Sequence, residues 1–275
     1  MANYTTYGNS FSSYIYLLDK YNNSQGGYSV RKLREDYTGY CMEVLRFTDS
    51  ATLDIGFVNN ELDTTSILTF LSGDKGLVRT WYNQSLGGGE NLVASTVPLM
   101  PEIANLGVIN TRNGKPSLRF QDSSMIAYGF GTSDTRSNFI TYDTSGAFTG
   151  GYHNVYVYLT PTGSILDFQQ LALLGGNIVS NYPTASIDQT AYMYTDNASQ
   201  IVAQLKYPSG ANYYKNNLTT SAASGTQNLA DSLNLGRLLT NYLNGNIQEM
   251  IVFEDNKTAE VNDIILDTNE YFNVF

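Results

Sequence analysis

Short runs in which apolar and polar residues alternate dominate the chain. In Asn154–Leu159, Val155, Val157 and Leu159 fall on one side and Tyr156 and Tyr158 on the other. This period of two is that of a strand with one face on a core. The tyrosine face is then turned toward another sheet, a ligand or a neighbouring subunit. Residues 41–47, 52–58, 77–82, 137–142, 191–195, 200–205 and 247–253 also read as strands, separated by Gly, Asn and Ser clusters. Helical spacing is confined to three places. Ser29 followed by Val30, Leu33 and Tyr37 predicts a short capped helix ended by Gly39. Asp63 predicts the cap of a second helix that turns Ile67, Leu68 and Leu71 inward and stops at Gly73. From about Thr258 to Phe272, the stripe Val261, Ile264, Ile265 and Phe272 opposes Glu260, Asp263, Asp267 and Glu270, predicting a helix docked on a sheet. The expected fold is mainly β, a jelly-roll β-sandwich with a few short helices and a C-terminal helix.

No internal repeat or linker divides the chain. Residues 1–27 are rich in Tyr, Asn and Ser and end in Gly26-Gly27, so they are expected to form an N-terminal arm or attachment segment. Residues 28–275 form the sandwich domain.

Composition sharpens this. Of 275 residues, 42% are hydrophobic and 15% charged, against about 25% charged in an average domain. Amides, hydroxyls and 22 tyrosines make up the difference. The net charge of −10 argues against nucleic acid, because phosphate binding needs a basic patch. Membrane insertion is not expected, since no window reaches the ~18 apolar residues of a spanning helix. The N-terminal stretch has no signal-peptide pattern and the single cysteine, Cys41, forms no internal disulfide, so synthesis in a reducing compartment is expected.

The chemistry of sites is sparse. His153, the single histidine, falls in an expected turn, without a nucleophile-elbow motif nearby. One His and one Cys cannot furnish a tetrahedral zinc set, so no metal and no cofactor is expected. Asp134, Asp143, Asp188 and Asp196 read as solvated loop acids without calcium-loop spacing. Gly87–Gly89 reads as a flexible connection, because no Gly-Lys-Ser/Thr follows it. Glu249 alternates with Ile247, Ile251 and Phe253, which points it inward and demands a partner, with Arg31 and Arg79 as candidates.

Three segments carry a family resemblance: Tyr28–Ser85 ending in Trp81-Tyr82-Asn83-Gln84-Ser85, Asn113–Phe120, and Gly245–Phe275. They resemble the concanavalin A-like β-sandwich modules of many bacteriophage structural proteins. More distantly, Tyr28–Ser85 and Gly245–Phe253 are similar to the catalytic domain of fungal-type α-L-arabinofuranosidase B. The phage modules carry an acid where Asn83 stands. The arabinofuranosidase resemblance implies a Glu nucleophile after a Gly-Asn pair and an Asp acid/base in a late glycine-rich loop. Here Gly176-Asn177 is followed by Ile178 and Val179, and Arg237–Asn244 holds no carboxylate. Glycoside hydrolysis needs two carboxylates, so the chain is expected not to be an enzyme.

The resemblance therefore implies a virion structural protein: capsid decoration, head fibre or tail adhesin, assembled in a bacterial cytoplasm and displaying a non-catalytic sandwich. Expected partners are other virion proteins through the N-terminal arm, further copies of the chain in a symmetric homo-oligomer, and host-surface glycans. The alternative is a carbohydrate-binding module or a glycoside hydrolase of arabinofuranosidase type. Trp81, Tyr82, Tyr156, Tyr158, Tyr213 and Tyr214 are the aromatics expected to stack on a sugar, with Tyr192 and Tyr194 further candidates.

Overall fold

The structure is a computed structural model. It describes residues 16–131, 133, 135–144, 152–159, 169–174, 177–182, 185–189, 198–208, 210–216, 218–224, 231–238 and 240–275. The strands that build the frame are β1 (Ser24–Ser29), β2 (Met42–Arg46), β3 (Thr52–Ile55), β4 (Gly76–Trp81), β5 (Leu92–Val93), β6 (Glu102–Asn105), β7 (Leu118–Gln121) and β8 (Met125–Ala127). They continue as β9 (Arg136–Thr144), β10 (Tyr152–Leu159), β11 (Gln200–Tyr207), β12 (Gly210–Lys215), β13 (Leu218–Ser224), β14 (Ser232–Leu235) and β15 (Asn244–Phe253). Among the described residues, three helices accompany them: α1 (Leu17–Lys20), α2 (Thr64–Leu71) and α3 (Val261–Phe272).

Among the described residues all the strand pairings are antiparallel, and one curled sheet network folds into two layers. In the first, β15 pairs on one edge with β1 and β7 and on the other with β9. The layer continues through β11, β12 and β13. In the second, β3, β2 and β4 lead through β5 to β8, β14 and β10. Arg119 opposite Glu102 joins the layers. Met250 and Val252 of β15 belong to the core shared with Tyr28, Trp81, Ile140 and Tyr158. Ile251 and Phe253 pack outward with Phe139, Val261, Ile264 and Ile265. Because α3 covers the outer face, β15 is apolar on both sides, which explains its continuous Ile-Val-Phe run.

The expected mainly-β architecture, α2 and the C-terminal helix are present. Asp63 accepts from the Ser66 backbone N–H at 2.9 Å, and Ile67 and Leu71 are buried while Leu68 is half-buried. Ser72 and Gly73 take the left-handed conformation that ends α2.

The helix expected after Ser29 does not form. Ser29 ends β1, and competing partners take the backbone groups a helix would use. The Leu33 N–H donates to Gln84 Oε1 at 2.8 Å, Lys32 N–H to the Asn60 carbonyl, and the Val30 carbonyl accepts from Leu62. The spacing of Val30 and Leu33 reflects burial of an irregular segment instead.

Three other expectations change. His153 lies in β10, not a turn. Asp143 is a buried strand residue, paired with Arg112 and accepting from Asn246 N at 3.0 Å and Nδ2 at 2.8 Å. Asp188 lies in the strand Ala185–Gln189, while Asp134, Asp196 and residues 191–195 are outside the described residues. The boundary after residue 27 falls inside β1, and α1 packs beneath α3, so residues 17–27 belong to the sheet domain. The arm expectation for residues 1–15 lies outside the described residues.

Glu249 is held as its pattern demanded. Its carboxylate accepts from Arg31 Nε at 2.8 Å and Nη2 at 2.9 Å, and from Ser29 Oγ at 2.7 Å. Arg31 also stacks on Tyr271 and Phe272, tying β1 to α3. Arg79 pairs with Glu43 instead.

Candidate functional site

Where β15 ends, the chain opens a cleft of about 600 Å³ lined by Leu18, Asn22–Gln25, Arg34, Leu86, Gly87, Glu254 and Asp255. Its walls are built by a defect in strand pairing. Ser24 pairs with Phe253 and Gly26 with Val252, leaving Gln25 as the extra residue of a β-bulge. Bulges re-aim side chains and recur beside binding sites.

The bulged backbone is anchored from outside. The Gln25 carbonyl accepts from Asn83 Nδ2 at 2.9 Å, Ser85 Oγ at 2.7 Å and Gly89 N at 3.2 Å. Asn83 Oδ1 in turn accepts from the Gly27 and Ser85 N–H groups at 2.8 and 2.9 Å. A Cβ on Gly87 would overlap the Ser24 carbonyl and Gln25 Cα, and one on Gly89 would meet the Gln25 carbonyl at 2.5 Å. The glycine run expected to be a flexible connection is therefore a close-packed brace. Gln84 completes it, donating to the Arg31 and Ser29 carbonyls. Asn83, which stands in place of an acid, uses both ends of its amide, and a carboxylate could not donate to Gln25 and Gly89.

The opposite wall is held by a left-handed Asn23, whose carbonyl accepts from Glu254 N and whose Nδ2 donates to Asp255 Oδ2 at 3.0 Å. Lys257, almost fully buried, reaches the same oxygen at 2.8 Å. Ser137 Oγ bridges Asp255 O and Lys257 N. Arg34 closes a third side, paired with Asp36 at 2.5 Å.

Two acceptors in this cleft have no hydrogen-bond partner among the described residues: Gln25 Oε1 and Asp255 Oδ1, both buried. Leaving a buried acceptor unmade costs about 1–3 kcal/mol. Glu254 is exposed at the rim. The cleft thus offers amides, two carboxylates, a guanidinium and the apolar flanks of Leu18 and Leu86 to a ligand rich in hydroxyl donors.

The aromatic residues expected to stack on a ligand lie elsewhere. Trp81 is buried beside Tyr28, its Nε1–H directed at the Ser29 carbonyl. Tyr156, Tyr158 and Tyr213 meet inside the sandwich, where Tyr156 and Tyr213 share the Gln204 amide and Tyr158 donates to Asn138 Oδ1 at 2.8 Å. Burial pushes the Tyr156 and Tyr158 phenols well up. Tyr214 packs on the outer core with α3. These five rings serve the core and present no face to solvent. Tyr82 alone of the six is half-open, and it donates to Asp54 Oδ1 at 2.6 Å. Tyr192 and Tyr194 are outside the described residues. The cleft residues were missed in the sequence. The signal that could have found them is the amide run Asn22-Asn23-Ser24-Gln25 before Gly26-Gly27, facing Glu254-Asp255.

No protein-family model and no curated protein sequence matches the chain. Solved structures do. A mutant GH54 α-l-arabinofuranosidase soaked with 4-nitrophenyl α-l-arabinofuranoside matches with a TM-score of 0.67 and 14% identity, over 89% of this chain and 62% of that one. An arabinofuranosidase complexed with arabinofuranosyl-α-1,2-xylobiose matches at 0.66 and 14%, over 88% and 61%. At this identity the likeness establishes the β-sandwich fold, and the chain spans about three fifths of these proteins' length. It also corrects the expectation of a non-enzyme. That expectation rested on aligning two weak segments, whereas nearly the whole chain has the fold of a glycoside hydrolase solved with its substrate or inhibitor.

Proposed function

We propose that this chain is a carbohydrate-active domain of arabinofuranosidase type, and that the cleft beside Gln25 takes an arabinofuranosyl-bearing glycan. The observation that carries the reading is the cleft itself, which gathers Asn22, Asn23, Gln25 and Arg34 with the acids Glu254 and Asp255 where β1 and β15 end their pairing. Sugar hydroxyls are donors that a wall of amides and carboxylates can accept, and such polar groups fix a ligand's orientation. Hydrolysis of a glycoside draws on carboxylates, and Glu254, exposed at the rim, is the cleft acid we assign to it. Asp255 is anchored by Lys257 and Asn23, and Glu254 meets solvent. The fold likeness supports a glycoside as the substrate class. A place on a phage particle, implied by the module resemblance, is a further proposal about where the domain acts, since a particle-borne domain of this kind would engage surface glycans.

The test is release of 4-nitrophenol from 4-nitrophenyl α-l-arabinofuranoside, together with binding of arabinofuranosyl-xylobiose, by the wild-type chain and by Glu254→Gln. The reading expects binding and turnover by the wild type and loss of turnover in the variant. Neither binding nor turnover by the wild type would overturn it.

A further inference from the structure

We infer that the cleft is one end of a longer glycan track whose other end is an aromatic platform formed by Tyr40 and Tyr82. This rests on the glycan reading of the cleft and extends it to the polymer backbone. Tyr40 is 52% exposed and its ring lies 6.3 Å from that of Tyr82, tilted by 46°. Exposed aromatics are common, but this pair is held in place. The Tyr82 hydroxyl donates to Asp54, and burial together with that bond pushes its phenol up, keeping it a donor. Tyr37 OH donates to the Tyr40 carbonyl at 2.8 Å. Gly56 lies beside Tyr40, where an added Cβ would come to 3.9 Å from the ring edge.

The platform and the cleft are joined by one stretch of chain. Tyr82 belongs to the platform. The next residues, Asn83 and Ser85, line a second depression with Glu90 and Asn91, and Gly87 lines both that depression and the cleft. From Tyr82 to Gly87 is at most about 17 Å of extended chain, the scale of a short oligosaccharide. The Asn83 N–H donates to Asn91 Oδ1, which fixes the wall between the two ends. The order along the path is two tilted rings with Asp54 beside them, then an amide-lined depression, then the acidic cleft. Rings offer an apolar face to the C–H side of a pyranose while flanking amides and carboxylates take its hydroxyls. The occupant that fits all three is the backbone of an arabinofuranosyl-bearing polysaccharide, with its side sugar in the cleft.

Calorimetric titration of arabinofuranosyl-substituted xylobiose and xylohexaose into the wild type, Tyr40→Ala and Tyr82→Phe tests this. The wild type should bind the longer ligand about tenfold more tightly. Tyr40→Ala should erase that advantage while leaving the shorter ligand unaffected. Tyr82→Phe, which keeps the ring and loses the Asp54 bond, should reduce it. Equal affinity for both ligands in the wild type, or a length preference that survives Tyr40→Ala, would overturn the platform alone. Binding of neither ligand by the wild type would overturn the cleft reading, and the platform with it.

Discussion

Glu249 and the pair Glu254–Asp255 stand a few residues apart on the same strand and its exit, yet their surroundings are opposite. Glu249 is enclosed, with both oxygens satisfied by Arg31 and Ser29. Asp255 has one oxygen matched to Lys257 and Asn23 and the other buried without a partner among the described residues, and Glu254 faces solvent. A fully matched acid does structural work, because its whole interaction capacity is spent within the fold. An acid exposed beside a cleft, as Glu254 is, is available to a ligand. Glu249 pairs within the regular part of the β1–β15 ladder, whereas Glu254 and Asp255 follow the bulge at Gln25, where β15 ends.

That contrast can be broken at several points. The largest effect is expected at the enclosed acid. Glu249→Gln leaves Arg31 buried without its counter-charge and should cost about 3–5 kcal/mol in chemical denaturation, and Arg31→Ala should do the same from the other side. Asn83→Asp comes next. It deletes the donors to Gln25 and Gly89 and sets a charge against two carbonyls, so a loss of about 2 kcal/mol is expected, with weakened glycan binding because the bulge is no longer braced. Asp63→Ala removes the α2 cap and should cost about 1 kcal/mol. Ser66, through its hydroxyl and then its N–H, lowers the Asp63 carboxyl below the usual range. The stability this acid lends is therefore present above the ordinary carboxylate pKa and lost as pH falls through the lowered value. A pH series of melting curves should show a smaller acid-side loss in Asp63→Ala than in the wild type, the remainder coming from acids such as Asp49 and Asp74 that are also lowered. The smallest effect on stability, within about 0.5 kcal/mol, is expected for Glu254→Gln, and there the loss should appear in turnover instead.

Much of the fold was legible because the features that set it are local or periodic. The alternation in Asn154–Leu159, the cap at Asp63 and the apolar stripe of α3 each depend on near neighbours in sequence. Glu249 was readable too, since an acid among alternating Ile and Phe positions on a strand requires a buried partner, and Arg31 supplied it. The segment after Ser29 misled because its competing partners, Gln84, Asn60 and Leu62, are distant in sequence. The site was hidden for the same reason. A bulge at Gln25 is a property of two strands more than two hundred residues apart, and nothing in Asn22–Gln25 alone reveals which carbonyls Asn83 and Gly89 will grip. Tyrosines at strand spacing suggested a binding face, but Tyr156, Tyr158 and Tyr213 spend their hydroxyls on Gln204 and Asn138 inside the sandwich.

The most direct test is titration of arabinofuranosyl-α-1,2-xylobiose into the wild-type chain and into Gln25→Ala, with melting curves for both. Gln25 lines the cleft and its side-chain oxygen has no partner among the described residues, so its removal should leave stability unchanged or slightly raised. Saturable binding by the wild type, weakened at least about tenfold in Gln25→Ala without loss of stability, is the predicted result. Equal affinity in the two proteins, or a variant that is markedly destabilised, would contradict the assignment of Gln25 to the ligand and return it to the fold.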